Sequence, residues 1–496
     1  MHRLLVSAAR KSSGKTTIAA GLCAALRRRG WRVHPFKKGP DYIDPMWLSR
    51  AAGRPCINLD FHTMTDAEIR ARLGAVRAGE MGIIEGNKGL FDGLDVGGAD
   101  SNAALAKALG APVLLVLDAR GMTRGVAPLL LGYRAFDPRL DMAGVILNNT
   151  GGARHEAKLR AAIERYTDIE VLGAVRFDAT LNIAERHLGL VTCDETAAGV
   201  IDALADALAA QVDLDAVEAI AARAPGTAPA AGRPNAPLPR QRESGDFPFP
   251  RPPKPQKALD AGSSPVWGDG APPAAEVTVA VARDAAFTFY YADDLAAFAD
   301  HGARLVPFDT LKDAALPGAD ALYIGGGFPE THAAQLAGNR AMRAAVKRFV
   351  ERGGPVYAEC GGLMYLARSL TWGGQTWDMA GALPARIYMS ERPVGRGYVV
   401  LRETGHAPWP AGGAGNGRDI PAHEFHYSRL QLPADARLKF AYRVQRGHGI
   451  NGRFDGLVHA NVLANYSHFR NTAANPWIAR FISFVRAHKA GVGRAV

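Results

Sequence analysis

Short apolar runs alternate with longer amphipathic stretches through the first 222 residues of the chain. The runs have the length and composition of buried strands and lie at 3–8, 33–36, 82–85, 113–118, 142–147 and 171–174. The stretches between them, such as 16–29 and 103–109, repeat apolar residues at helical spacing. This alternation predicts a mostly parallel sheet with helices on both faces.

A second series of apolar runs follows a proline-rich segment. Its members lie at 277–282, 304–307, 321–324 and 355–358. Residues 223–275 hold 13 of the chain's 31 prolines, a density that excludes a helix or a central strand there. We therefore predict an α/β domain over 1–222, a linker over 223–275 that is partly polyproline-like and partly disordered, and a second α/β domain over 276–490.

Composition narrows the class of protein. The 496 residues exceed the size at which one hydrophobic core stops growing, about 250–300 residues, which agrees with two domains. No run approaches the roughly 18 apolar residues that cross a bilayer, and the four cysteines form no CxxC pair. We therefore expect a cytoplasmic protein with no membrane partner. The net charge of +11 is spread along the chain, so we expect a polyanionic small substrate and no nucleic acid.

The first predicted strand runs directly into a phosphate-binding sequence. The residues that follow it and open a helix are Ser12, Ser13, Gly14, Lys15, Thr16 and Thr17. Backbone N–H groups of such a loop cradle phosphates, a lysine reaches the β- and γ-phosphate oxygens, and a hydroxyl helps to hold Mg²⁺. Ala9 departs from the usual pattern, which has glycine there. We predict a site for ATP and Mg²⁺.

Charged residues follow the next two strands. Because ligands bind at the carboxyl ends of parallel strands, these residues and the phosphate loop point at one crevice. Glu85 ends an apolar strand, where an acid binds Mg²⁺ in similar sites. The predicted metal ligands are Thr16, Asp44 and Glu85, and the predicted substrate or phosphate contacts are Lys37, Asp41 and Asp92. For Asp92, capping of a turn is an open alternative.

The second domain places a cysteine in the setting of a nucleophile elbow. A strand ends just before Cys360, and Gly361 and a helix follow. Such a turn projects the thiol from the sheet, and we expect the helix N-terminus to lower the thiol's pKa. The N–H groups of Gly326, Gly327 and Gly361 are candidates for an oxyanion hole. The spacing of the histidines does not identify which one acts as base for the thiol. The candidates are His423, His426, His448, His459 and His468.

Six motifs in order resemble the cobyrinic acid a,c-diamide synthase family of ATP- and glutamine-dependent corrinoid amidases. They lie at 12–17, 39–45, 89–93, 184–190, 359–365 and 423–428. The resemblance implies a P-loop domain like dethiobiotin synthetase, followed by a class I glutamine amidotransferase domain. It also implies Cys360 as nucleophile and His468 as its base. Arg470 stands where class I amidotransferases usually have glutamate, so the group that orients the histidine stays open.

The reaction implied by the resemblance is amidation of the a and c acetate carboxylates of cobyrinate or hydrogenobyrinate in cobalamin biosynthesis. ATP and Mg²⁺ would turn a carboxylate into an acyl phosphate, and Cys360 would release ammonia from L-glutamine. The expected partners are a tetrapyrrole polycarboxylate and glutamine. The oligomeric state stays open between a monomer and a homodimer.

Three other functions stay open. The run Gly86-Asn87-Lys88 and the additional lysine at 37–38 resemble a branch that amidates siroheme or sirohydrochlorin. A P-loop partitioning-type switch ATPase would explain the lysine-rich loop but not the Cys360 elbow. A non-catalytic binding module would keep the fold and lack glutaminase activity.

Overall fold

The structure is a computed structural model that describes residues 1–181, 183, 185–186, 189–190, 197–224, 276–409, 419–433 and 438–492. The predicted linker, apart from its first two residues, lies outside the described residues. Much of the motif at 184–190 lies outside them as well.

The first unit contains nine strands and eight helices among its described residues. The strands are β1 (His2–Ala8), β2 (Val33–Lys38), β3 (Ile57–Leu59), β4 (Met81–Glu85), β5 (Val113–Asp118), β6 (Met142–Thr150), β7 (Val171–Arg176), β8 (Glu185–Arg186) and β9 (Gly189–Leu190). The helices are α1 (Lys15–Arg28), α2 (Ile43–Ala52), α3 (Asp66–Gly74), α4 (Asn102–Leu109), α5 (Val126–Phe136), α6 (Ala153–Tyr166), α7 (Ala197–Gln211) and α8 (Leu214–Ala222).

Seven of these strands form one parallel sheet, in the order β3-β2-β4-β1-β5-β6-β7. Two apolar clusters cover its two faces. Leu22 of α1 and Leu204 of α7 lie in one cluster, and Leu105 of α4 and Leu159 of α6 lie in the other. The predicted parallel sheet with helices on both faces is therefore confirmed.

Strand β2 is longer than its apolar run predicts. It includes Lys37 and Lys38, which are both buried. Two adjacent lysines usually mark the point where a buried strand has ended in solvent, which is why the strand was predicted to end at residue 36. That prediction was wrong. Buried acids and amides that accept hydrogen bonds from these ammonium groups make their burial possible.

The second unit contains thirteen strands and five α-helices among its described residues. The strands are β10 (Val277–Ala282), β11 (Ala303–Phe308), β12 (Ala321–Ile324), β13 (Val356–Glu359), β14 (Ser369–Trp372), β15 (Gln375–Asp378), β16 (Arg386–Met389), β17 (Gly395–Glu403), β18 (Asp419–His426), β19 (Ser428–Gln431), β20 (Lys439–Arg446), β21 (Phe454–His459) and β22 (Val462–Asn465). The helices are α9 (Ala292–Asp300), α10 (Ala333–Gly338), α11 (Arg340–Glu351), α12 (Gly361–Leu366) and α13 (Trp477–Val492).

A nine-stranded sheet in the order β11-β10-β12-β13-β22-β21-β20-β17-β18 forms the centre of this unit. The first five strands are parallel, and the remaining pairs are antiparallel. The four parallel strands predicted from sequence are present. The antiparallel half was not predicted, because strands such as β17 expose polar residues on one face and give no continuous apolar run. Among the described helices, none has the length and apolar character needed to cross a membrane.

Candidate functional site

A cavity of about 630 Å³ lies between the two units. Asp41, Tyr42 and Asp92 of the first unit line one part of it. Cys360 and His468 of the second unit line another part. The structure therefore brings together residues that the sequence assigned to two separate sites.

The predicted phosphate loop lies at the carboxyl end of β1. Gly14 has a left-handed backbone, with φ 87°, and a Cβ added to it would lie 2.1 Å from Nδ2 of Asn148. Glycine is therefore required where the loop enters α1. Burial and the nearby Lys37 ammonium lower the pKa of Lys15 to about 8. A bound phosphate would favour the charged form of Lys15.

Glu85 has a free carboxylate oxygen at the position predicted for the metal. Its Oε1 accepts hydrogen bonds from the Thr16 hydroxyl at 2.7 Å and from the Lys37 ammonium at 2.9 Å. Its Oε2 is buried and has no hydrogen-bond partner among the described residues. Asp44 lies on the other side of Lys37 and forms an ion pair with it. Oxygen donors of this kind suit Mg²⁺, so these residues fit the predicted metal.

The protein does not supply a complete metal cage here. In the described part of the chain, no group of three or more His, Cys, Asp or Glu residues is arranged to hold a metal ion. Mg²⁺ usually binds one or two protein carboxylates together with substrate phosphates and water. The free oxygen of Glu85 therefore fits a metal that arrives with a nucleotide.

Lys37 neutralises the buried Glu85 and the partly buried Asp44. Burial opposes its charge, but Asp44 and Glu85 outweigh that effect and hold the pKa of Lys37 above its usual range. Its predicted contact with phosphate or substrate stays a prediction.

Asp41 and Asp92 combine backbone contacts with a place on the cavity wall. Asp41 accepts the N–H groups of Ile43 and Asp44 at 2.9 and 3.1 Å and so caps the start of α2. Burial and the neighbouring Asp44 raise the pKa of Asp41 to about 7. Asp92 accepts the N–H of Gly89 at 2.9 Å, which is the turn-capping contact left open above. Because both carboxyl groups also line the cavity, capping does not remove them from the site.

Cys360 occupies a strained turn between β13 and α12. Its φ of 47° and ψ of −99° are unusual for a residue with a side chain. Its N–H donates to the Asn465 carbonyl at 2.7 Å, which fixes the turn against β22. A Cβ on Gly362 would lie 2.1 Å from the Ile324 carbonyl oxygen, so glycine lets α12 approach β12 closely. The predicted nucleophile-elbow geometry is present.

The thiol of Cys360 is buried, and this decides its acidity. Burial raises the pKa of Cys360, with further contributions from the carboxylates of Glu330 and Glu359. The Gly361 amide favours the thiolate but offsets only part of the effect. The helix N-terminus therefore acts in the predicted direction, but desolvation outweighs it and the pKa of Cys360 is raised overall. The sulfur lies 3.9 Å from the Phe425 carbonyl oxygen, which accepts its hydrogen bond.

His468 lies on the same cavity wall as Cys360. Its backbone N–H donates to the His423 carbonyl at 2.7 Å, and the two imidazole rings stack at a centroid distance of 4.9 Å. His426 is held differently, since its Nδ1 lies 3.0 Å from the Ser428 carbonyl oxygen and its ring stacks on Tyr466. Backbone pairing therefore fixes His468 in position at the cavity.

Glu359, which the sequence analysis did not single out, faces His468. Its Oε2 lies 3.7 Å from Nδ1 of His468, and both side chains are 2% exposed. Its Oε1 accepts hydrogen bonds from the Tyr357 hydroxyl at 2.5 Å and from the Phe469 N–H at 2.9 Å. Nδ1 of His468 has no hydrogen-bond partner among the described residues. The Glu359 carboxylate is thus in place to orient the imidazole.

Arg470 forms ion pairs with acids other than the one that faces His468. It donates to Asp293 at 2.6 Å, approaches Asp294 at 3.6 Å, and lies over the ring of Tyr291. It is 1% exposed. The position where class I amidotransferases usually have glutamate therefore serves packing and charge balance in this chain.

The three oxyanion-hole candidates lie beside the elbow. A Cβ on Gly361 would lie 3.1 Å from the Gly327 nitrogen, and a Cβ on Gly326 would lie 2.5 Å from Cε1 of His468. The neighbouring Gly325 N–H donates to the Tyr290 hydroxyl, so it has a partner already. The role of Gly326, Gly327 and Gly361 in binding an oxyanion stays a prediction.

Comparison with known proteins places both units in described families. The model of the CobQ/CobB/MinD/ParA nucleotide binding domain matches residues 5–191, and that of the CobB/CobQ-like glutamine amidotransferase domain matches residues 278–476. A cobyrinate a,c-diamide synthase from Magnetococcus marinus is 45% identical over 97% of both chains. The chain belongs to the cobyrinate a,c-diamide synthase family.

Relatives at lower identity support the same assignment. The cobyrinate a,c-diamide synthase of Methanosarcina barkeri is 38% identical and covers 98% of this chain and 96% of its own. That of Methanothermobacter thermautotrophicus is 36% identical and covers 97% and 98%. Family membership confirms the predicted resemblance, the predicted fold class and the predicted enzyme class, a ligase with glutamine as nitrogen donor.

The siroheme alternative receives no support from these relatives. The structure also gives a different role to Asn87, one of the residues on which the siroheme alternative was based. Asn87 accepts a hydrogen bond from Lys38 at 3.0 Å, and its N–H donates to Asn102 at 3.2 Å. These residues therefore support the loop after β4, and they are poor markers of the substrate. The switch ATPase alternative does not account for the second family domain.

Tyr42 is another residue that the sequence analysis did not single out. Its ring stacks on Phe289 at 5.0 Å and lies 5.3 Å from the ring of His468. Tyr42 directly follows Asp41, so one short loop contacts both reaction centres. An aromatic residue between two acids at the end of a strand was the available signal.

Proposed function

We propose that this protein is an ATP-dependent ligase that uses glutamine nitrogen to amidate the a and c acetate carboxylates of cobyrinate or hydrogenobyrinate in cobalamin biosynthesis. The observation that carries the proposal is the single cavity onto which Asp41, Asp92, Cys360 and His468 open. One cavity gives ammonia released at the thiol a route to an activated acid within the protein. The name shared by the relatives supports the choice of substrate.

Residues 1–222 form the synthetase domain in this proposal. The phosphate loop, residues 12–17, binds ATP, and Lys15 balances charge on the transferring phosphoryl group. Thr16, Asp44 and Glu85 would hold Mg²⁺, which would neutralise phosphate charge. The substrate carboxylate attacks the γ-phosphorus and releases ADP, and ammonia then displaces phosphate from the acyl carbon.

Residues 276–490 form the glutaminase domain, and residues 223–275 join the two domains. Cys360 attacks the side-chain amide carbon of glutamine, and His468 takes the thiol proton and passes it to the leaving ammonia. Water then cleaves the thioester and releases glutamate. Glu359 holds the imidazole and stabilises its protonated form.

The cavity also offers cationic groups to a polycarboxylate substrate, beside five carboxylates, those of Asp41, Asp92, Asp100, Glu330 and Glu424. Four cationic side chains line it, which are Lys38, Lys88, Arg396 and Arg446. Lysines come from the synthetase domain and arginines from the glutaminase domain, so a bound polycarboxylate would contact both. This favours ammonia transfer only when the substrate is in place.

The proposed reaction takes place in the cytoplasm. Cys23, Cys56 and Cys360 are free thiols among the described residues, as is usual in a reducing compartment. The cavity is formed within one chain, so the proposal needs no second subunit, and the homodimer stays a prediction.

The experiment compares wild type with Cys360→Ser, using glutamine or ammonium chloride as nitrogen source with ATP, Mg²⁺ and cobyrinate. Wild type should give amidated product with either source. The variant should give product only with ammonium chloride, because the serine hydroxyl cannot replace the thiol as nucleophile. Mass spectrometry detects a loss of about one mass unit for each OH replaced by NH₂. Glutamine-dependent product from the variant would refute the assignment of the thiol.

A further inference from the structure

Glu330 is a carboxylate on the cavity wall beside the nucleophile. It directly follows Pro329, in the loop that begins with Gly325 at the end of β12. A Cβ on Gly361 would lie 3.0 Å from the Pro329 ring and 3.1 Å from the Gly327 nitrogen. The loop that carries Glu330 therefore packs against the residue after Cys360, and both side chains line the same cavity.

The charge of Glu330 is not balanced by the protein. Among the described residues, its carboxylate has no cationic partner and contacts only its own backbone amide. Burial raises the pKa of Glu330 to about 7. A carboxylate that faces a cavity at such a cost is usually matched by a charged or hydrogen-bonding ligand.

Glutamine carries the matching charge. Its α-ammonium group is separated from the reacting amide carbon only by the short side chain, so a group that binds the ammonium must lie near the nucleophile. Glu330 meets that requirement. The other carboxylates that line the cavity already accept N–H groups of other residues, and they are Asp41, Asp92, Asp100 and Glu424. We propose that Glu330 binds the α-ammonium group of glutamine while Cys360 attacks the side-chain amide.

This inference rests on the proposed function and gives bound glutamine a role in activating the Cys360 thiol. The Glu330 carboxylate disfavours the Cys360 thiolate. An ammonium group bound to Glu330 neutralises that charge, so the thiol becomes easier to ionise when glutamine is in place. Free protein then protects its thiol, and bound glutamine helps to activate it.

The test compares two substrates in wild type and in Glu330→Gln. The substrates are glutamine and 4-carbamoylbutanoate, which is glutamine without its α-amino group. Wild type should prefer glutamine, as judged by the ratio of the two kcat/KM values for ammonia release. In Glu330→Gln this ratio should fall by about tenfold to a hundredfold, because a charge-assisted hydrogen bond is lost only with glutamine.

The matched control is Glu351→Gln, at an exposed position at the end of α11 in the same unit, and its ratio should equal that of wild type. If Glu330→Gln reduces kcat/KM equally for both substrates, or changes neither, the proposal is refuted. Failure of the proposed function would be distinct, since wild type would then release no ammonia from glutamine.

Discussion

At the scale of single residues, some members of the two reaction centres could be predicted from the sequence and others could not. Lys15 and Cys360 stand in short motifs whose chemistry depends on neighbours in the chain, so their places were predicted. Glu359 acts on His468, more than a hundred residues away, and only the pairing of β13 with β22 brings them together. Its adjacency to Cys360 gave no sign of that contact.

Replacement of Glu359 by glutamine tests its contact with His468. The substitution keeps the shape of the side chain and removes the negative charge beside the imidazole. We expect kcat for glutamine hydrolysis to fall by about tenfold to a hundredfold, with KM for glutamine unchanged. Tyr357→Phe, which removes one hydrogen bond to the carboxylate but keeps its charge, should cause a smaller loss. An unchanged kcat in Glu359→Gln would rule out a positioning role.

The free oxygen of Glu85 leads to a second prediction at this scale. Glu85→Gln removes the charge that would bind Mg²⁺ and weakens the hold on Lys37. We expect ATP-dependent turnover to fall by more than about tenfold and half-saturation by Mg²⁺ to move to higher concentration. Steady-state ATP hydrolysis across a magnesium titration measures both effects. Identical titrations for variant and wild type would remove Glu85 from the metal site.

At the scale of elements, the short parallel strands β3 and β22 were not predicted. The other parallel strands and the two loops that follow a strand and open a helix were predictable. They combine continuous apolar runs with glycine at the turn, as at Gly14 and Gly362. The antiparallel strands from β17 to β21 were not predicted, because their polar residues face solvent or the cavity. Lys37 extends β2 for a related reason, since its acidic partners Asp44 and Glu85 come from other elements.

The close packing of α12 on β12 predicts the result of one substitution. Gly362→Ala places a Cβ 2.1 Å from the Ile324 carbonyl oxygen, so strand and helix must separate. We expect the free energy of unfolding to fall by about 1–3 kcal/mol, as measured by chemical denaturation. Gly338→Ala is the control, because nothing lies within 4 Å of the added Cβ. Equal stability of the two variants would contradict the packing described here.

At the scale of the whole molecule, the two units meet through specific polar contacts as well as through Tyr42. The Tyr398 hydroxyl donates to Asp60 at 2.6 Å, and Arg72 forms an ion pair with Asp293 at 3.3 Å. The first unit and the glutaminase centre are therefore held at fixed positions around the cavity. Sequence alone predicted the two reaction centres and did not predict which residues lie between them.

Loss of a contact between the units should separate the two reactions. Tyr398→Phe removes a partly buried hydrogen bond, at a cost of about 1 kcal/mol, and leaves the ring in place. We expect more glutamine to be hydrolysed for each ATP consumed, because ammonia escapes before it reaches the activated acid. Tyr388→Phe, at a residue that is 40% exposed, should keep the wild-type ratio. A ratio that stays the same in Tyr398→Phe would show that this contact does not couple the domains.

Transfer of labelled nitrogen is the most direct test of the shared cavity. The full-length protein is incubated with ATP, Mg²⁺, cobyrinate and glutamine labelled with ¹⁵N in its side-chain amide, in the presence of unlabelled ammonium chloride. We predict that the new carboxamides carry ¹⁵N with little dilution, as seen by mass spectrometry. Products that carry the nitrogen of free ammonium while glutamine is hydrolysed, or glutamine cleavage with no new carboxamide, would contradict it.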